Sequence, residues 1–250
     1  WDVKKLFRLM VTSAVYRQSA AATPEQLEKD PQNRLLSHGP RFRMDAEMIR
    51  DYALATSGLL SGKLGGPSVK PYQPEGVWEA VAMPESNTRK YQRDAGEALY
   101  RRSVYTFWKR SAPPASLDIL NAPSRENCTV RRERTNTPLQ ALVTLNDPQF
   151  VEAARHLAQR ALLEHSENPG AALGWMARQA LQRDLDPSET EIVLRTFQSL
   201  QNQFAQAPES AAGFLGVGES KPDDRIRIED FAALTLVANQ LLNLDEALCK

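Results

Sequence analysis

The sequence predicts a mainly α domain, an irregular multi-helix fold with long ordered loops and at most a small β element near 100–108. Three observations lead there. From Thr137 onward, helix start signals recur ahead of segments whose apolar residues fall at helical spacing. The segment 226–244 is apolar nearly all round, as the central helix of a helical core is. Only one short run, 100–110, combines alternation with β-favouring residues, and it stands alone.

The elements follow in order. Residues 2–18 read as an amphipathic helix, with Val3, Leu6, Phe7, Met10 and Val11 on one face and Lys4, Lys5 and Arg8 on the other. Residues 20–43 are loop-like, punctuated by Pro24, Pro31, Gly39 and Pro40. A second helix starts at Asp45, an N-cap residue type, and carries Ile49, Tyr52, Ala53, Thr56 and Leu60 along one side. The Gly- and Pro-rich stretch from Ser61 to Asn87 is too long for a passive connection in a compact domain. It reads as an ordered surface segment or lid. Pro113-Pro114 stops the strand candidate. Thr137-Pro138-Leu139-Gln140 then supplies an N-cap, a proline at the first helical position and a reciprocal capping glutamine. Asn146-Asp147-Pro148 starts the next helix, with Phe150, Val151, Ala154, Leu157 and Ala158 on its apolar face. Further helices are expected at about 170–183, 187–206 and 226–244. Residues 207–225 read as loose.

The chain of 250 residues is long enough for one large domain or two small ones. We read it as a single domain over 1–250, with possible sub-lobes 1–125 (mixed, loop-rich) and 126–250 (helical). Its basic and acidic residues balance at 31 each, which argues against a general nucleic-acid binder. No apolar run approaches the ~20 residues of a membrane span. The opening Trp1-Asp2-Val3-Lys4-Lys5 has mid-helix character, so the chain reads as a fragment of a larger protein. The two cysteines, Cys128 and Cys249, are too few for a disulfide framework, and whether they pair stays open.

Familiar chemical motifs fail on inspection. The stretch "GLLSGKLGG" at 58–66 hints at a phosphate loop, yet three residues rather than four separate Gly58 from Gly62. Leu64 also stands where a magnesium-binding hydroxyl is needed. His38, His156 and His165 show no ligand spacing, and no metal site is expected. The basic and aromatic residues of 89–110 suit a half-buried segment with a solvated face better than a nucleic-acid platform.

The richest stretch is "TVRRERTNTPLQAL" at 129–142. Arginine forks hold carboxylates or phosphates through paired hydrogen bonds. A helix start beside them adds free N–H groups and a positive dipole end. The cluster is therefore either an anion-binding site or an internal network that uses Glu126 and Glu133 as partners.

Several stretches carry a resemblance: "RLMVTSAVYRQSA" at 8–20, "NRLLSHGPRFRMDAEMIRDYALATSG" at 33–58, "GGPSVKPYQPEGVWE" at 65–79, the block from Tyr100 to Arg160, and "LLNLDE" at 241–246. They are similar to the planctomycete cytochrome-associated C-terminal domain of unknown function, PSD type. The resemblance implies the C-terminal part of a large exported protein, periplasmic or at the cell surface, with any haem c in an upstream module and no cofactor in this chain. It implies no reaction. Its signature positions include Arg101, Arg102, Ser103, Tyr105, Arg131, Thr135, Thr137, Pro138, Leu139, Gln140, Leu145 and Asn146. With Arg134 and Asn136, eight of them (Arg101, Arg102, Tyr105, Arg131, Thr135, Thr137, Gln140 and Asn146) form the candidate anion-binding or structural cluster. The first functional expectation is an interaction or scaffold domain that docks upstream domains of the same protein or an extracellular partner. The alternative is an enzyme or binding domain for an extracellular anionic substrate such as a polysaccharide.

Overall fold

A computed structural model describes residues 1–165 and 168–249. The chain divides into two compact units, Trp1–Arg43 with Cys249, and Met44–Leu248.

The smaller unit holds α1 (Val3–Thr12) and α2 (Pro24–Lys29). Asp2 caps α1 by accepting from the Lys5 N–H at 3.0 Å. The apolar residues expected to line a buried face, Leu6, Phe7 and Met10 among them, stay exposed. Residues 20–43 are not all loop. Thr23 and Gln26 close a full capping box around Pro24, and that starts α2.

The larger unit comprises α3 (Ala46–Ser57), α4 (Val77–Val81), α5 (Ala115–Ile119), α6 (Pro138–Asn146), α7 (Pro148–Glu164), α8 (Pro169–Leu181), α9 (Pro187–Gln206), α10 (Pro208–Leu215), α11 (Ile228–Asn243) and α12 (Asp245–Leu248). It is mainly α and contains no sheet among the described residues. As its all-round apolarity predicts, α11 is the buried centre, packed against α7, α8, α9 and α10. Alanines at 154, 158, 161, 177, 232 and 238 are fully buried there and let the helix backbones approach closely. Each fully buried leucine or phenylalanine between them contributes about 1.5–3 kcal/mol. Helix α10 occupies part of the stretch read as loose. Pro208 starts it, and Ala211 and Leu215 bury one face.

The other side of α7 meets α3 through a second core of Ile49, Ala53, Leu117, Leu120 and Phe150. Helix α7 is thus covered on two sides. This arrangement carries Glu152 and Arg155, one turn apart, into the interior.

The strand candidate resolves differently. Residues 96–100 and 103–105 are 3₁₀ turns, and only isolated parallel bridges join Ser61 to Arg101 and Val69 to Thr106. Burial alternates only over 101–104, with Arg101 and Ser103 inward and Arg102 and Val104 outward, and Thr106 is buried out of that phase. The inward side chains are polar, however, and seek hydrogen bonds rather than an apolar sheet face, while the facing segment is broken by glycines. Cys128 is exposed and in no disulfide.

Candidate functional site

The arginine stretch sits against the start of α3. Arg132 donates to both oxygens of Glu47, at 2.6 and 3.4 Å, and lies 3.5 Å from Asp45. Arg134 approaches the other Asp45 oxygen at 3.5 Å. Together with Arg131, Glu133 and Thr135 they line an open hollow of about 600 Å³. Arg131 is exposed and has no partner among the described residues, and the same holds for Glu133. Asn136 is exposed too.

The threonines and Gln140 do something else. Thr137 and Gln140 close the capping box of α6. The buried Gln140 amide also donates to the Ile119 carbonyl and to the Thr135 hydroxyl, both at 2.9 Å. Asn121 donates to that same hydroxyl at 2.7 Å. These residues fasten the arginine loop to α5 and α6. Asn146 donates back to the Leu142 carbonyl at 2.9 Å, within its own helix, and the cap of the following helix is Asp147.

Arg101 lies apart from this cluster. It is buried, with its guanidinium 3.7 Å from the centroid of the Tyr105 ring. It donates to the carbonyls of Lys63, Gly65 and Pro67, while Tyr105 accepts from the Gly65 N–H at 2.8 Å. This geometry disposes of the phosphate-loop likeness. A phosphate loop turns N–H groups inward toward an anion, whereas here the loop turns carbonyl oxygens inward onto a cation. Arg102 points out, about half exposed, with Asp51 3.7 Å away.

Two polar centres escaped the sequence reading. Arg50 on α3 is fully buried and donates to Gln149 (2.7 Å), the Leu99 carbonyl (2.7 Å), the Arg101 carbonyl (2.8 Å) and Ser103 (3.2 Å). Burial lowers its pKa to about 10, against the pull of Asp51 and Asp147, so it stays charged at neutral pH. The second centre is Glu152. One of its oxygens accepts from Tyr72. The other accepts from Tyr100, from the backbone N–H groups of Glu219 and Ser220, and from the Ser220 hydroxyl. Burial pushes this carboxyl up, but the hydrogen bonds from Ser220, Tyr72 and Tyr100 outweigh it and hold the carboxyl below its ordinary value. Arg155 stands 3.6 Å from it and donates to Ser220. The available signal was a charged pair at i, i+3 inside the apolar stripe of a helix, where an unpaired charge is prohibitively costly.

His156 faces the Ser57 carbonyl at 2.8 Å and His38 faces the Gly39 carbonyl at 2.9 Å, so neither addresses a nucleophile. Among the described residues no group of three or more His, Cys, Asp or Glu is placed to hold a metal ion. No helix among them is long and apolar enough to cross a membrane.

The model of the PSD1 family, a protein of unknown function (DUF1553), matches residues 1–197. The chain belongs to this family. The PSD1 match runs past Arg160, through α8 and into α9, and includes all ten candidate residues. It stops short of α10 and of the central α11. No curated protein and no solved structure matches the chain.

Proposed function

We propose that this PSD1 chain is a non-catalytic interaction domain of an exported, cytochrome c-linked multidomain protein, docking its neighbours through the surface around Arg131. The exported setting and the upstream haem module come from the resemblance of the sequence to the planctomycete domain. The observation that carries the interaction reading is the pairing of the arginines. Arg101, Arg132 and Arg134 are held by carbonyls and carboxylates of the chain itself, and only outward-facing guanidinium groups keep free donors. A reaction centre needs an acid or base held free of neutralising partners. Here Asp45 and Glu47 are both engaged by arginines, and Glu133, which has no partner among the described residues, is exposed to solvent rather than held in place, so the polysaccharide-enzyme alternative has less support.

The test is association. The chain is mixed with the separately produced upstream part of its parent protein, and sedimentation is measured. A complex that Arg131→Ala weakens about ten-fold at an unchanged melting temperature supports the reading. Absence of any complex overturns it.

A further inference from the structure

Beside α3 runs a second open hollow of about 640 Å³, bounded by α3, the 3₁₀ turn at 103–105 and the Arg125 loop. Its apolar lining includes Met44, Met48, Ala55, Leu60 and Val104. Met48 is 45% and Val104 64% exposed. Val104 stands on a turn fixed from below by Arg50, which donates to Ser103, and by Asp51, which accepts from the Ser103 N–H at 2.7 Å. Apolar groups displayed on rigid backbone lose little entropy when a partner covers them.

The charges around the hollow are unequally satisfied. All three carboxylates of the lining are engaged: Asp51 as described, Glu47 by Arg132 through both oxygens, and Asp45 with Arg132 and Arg134 each 3.5 Å away. Two arginines, in contrast, keep open donors. Arg102 has only the distant Asp51. Arg125 stacks on Trp108 with 4.6 Å from guanidinium to ring centroid and has no acceptor among the described residues. The Arg125 side chain is built into place. Trp108 donates to the Ser124 carbonyl at 2.9 Å, and Arg125 itself adopts φ +63°, a left-handed conformation that non-glycine residues rarely take.

We propose that this groove docks an acidic polypeptide segment that carries apolar side chains. Carboxylates of the partner bridge Arg102 and Arg125 through paired hydrogen bonds, while its apolar residues cover Met48, Ala55 and Val104. A sulfated or carboxylated glycan offers the anions but gains nothing over the apolar patch, so polypeptide is the better complement. The proposal rests on the interaction-domain reading and specifies the partner's chemistry.

The probe is a fluorescein-labelled synthetic peptide of alternating Glu and Leu, titrated with the 250-residue chain and followed by anisotropy. The controls are a Glu and Ser peptide of equal charge and a heparin oligosaccharide. The Glu and Leu peptide should bind at least about ten-fold tighter than either control. The double substitution Arg102→Ala, Arg125→Ala should weaken it about ten-fold or more and flatten its salt dependence. Met48→Ser with Val104→Ser should weaken it comparably and leave the salt dependence in place. All four positions are exposed, so the melting temperature should hold. Equal affinity for the two peptides, tighter binding to heparin, indifference to the substitutions, or no binding overturns the proposal. The two readings can fail separately. If the upstream part still associates with the groove variants, the groove is wrong and the interaction domain stands. If the wild-type chain does not associate at all, the interaction reading fails.

Discussion

At Glu152 a carboxylate and an arginine are sealed inside the protein, 0% and 1% exposed. At Glu47 the same two residue types meet at the edge of solvent, with 20% and 36% of their side chains exposed. The sealed pair has collected hydrogen bonds from three chain segments, because a buried charge without partners is not tolerated. The open pair needs only one good contact, since water satisfies the rest. The first arrangement is closed off from solvent and from any ligand. The second leaves Arg131, Arg102 and Arg125 with donors to spare. Any recognition by this domain therefore belongs at the edge, and the interior pair belongs to the fold.

The sharpest way to break this contrast is Gly218→Ala. A Cβ at Gly218 would lie 2.5 Å from the Glu152 carboxyl carbon, and its φ of +95° is strained for any side chain. We expect a loss of about 3 kcal/mol or more in urea unfolding. An unchanged midpoint would mean that the loop does not seal Glu152.

Next comes Glu152→Ala, which strands Arg155 in the interior and should cost about 3–5 kcal/mol. If it cost no more than a surface substitution, the two pairs would not differ in kind.

Asp147 sharpens the comparison through pH. Burial raises its pKa to about 6, against hydrogen bonds from Gln149 and the charge of Arg50. The folded form holds this proton more tightly than the unfolded chain, so its contribution to stability is largest below the ordinary carboxyl value of 3.8 and is lost as pH rises through about 6. Asp147→Asn keeps a capping oxygen for the Gln149 N–H, now 3.1 Å away, and removes the charge. It should gain about 1–2 kcal/mol at neutral pH and converge with wild type in acid. A gain independent of pH would refute the assignment.

The smallest effects belong to the edge. Arg132→Ala should cost about 1 kcal/mol, lowering the melting temperature by about 2–4 °C. Arg131→Ala should stay within about 0.5 kcal/mol. If Arg131→Ala unfolded the chain, the exposed cluster would have to be reclassified as structural.

Much of the helical half was legible. The prolines at 138, 148, 187 and 208 each open a helix, and the starts at 138 and 148 were read directly from Thr-Pro and Asp-Pro. The same Thr-Pro-x-Gln signal at 23–26 went unread, because α2 has no apolar face to draw attention to it. The cluster at 131–140 was legible as a group but not as a set of roles. Thr135, Thr137 and Gln140 fasten the loop, Arg132 and Arg134 pair with α3, and Arg131 remains outside. Arg101 proved to serve a loop whose glycines had suggested a phosphate site.

Local signals fixed the helix starts, the apolar identity of α11 and the concentration of arginines near α6, since capping and periodicity act between residues a few positions apart. Only the tertiary structure decided that Arg50 and Glu152 are the interior polar hubs and that Arg102, Arg125 and Arg131 keep open donors. The physical reason is that a charged side chain takes its role from how many partners reach it and how much water is left. Both depend on segments such as Tyr72 and Ser220, 80 and 68 positions from Glu152 along the chain.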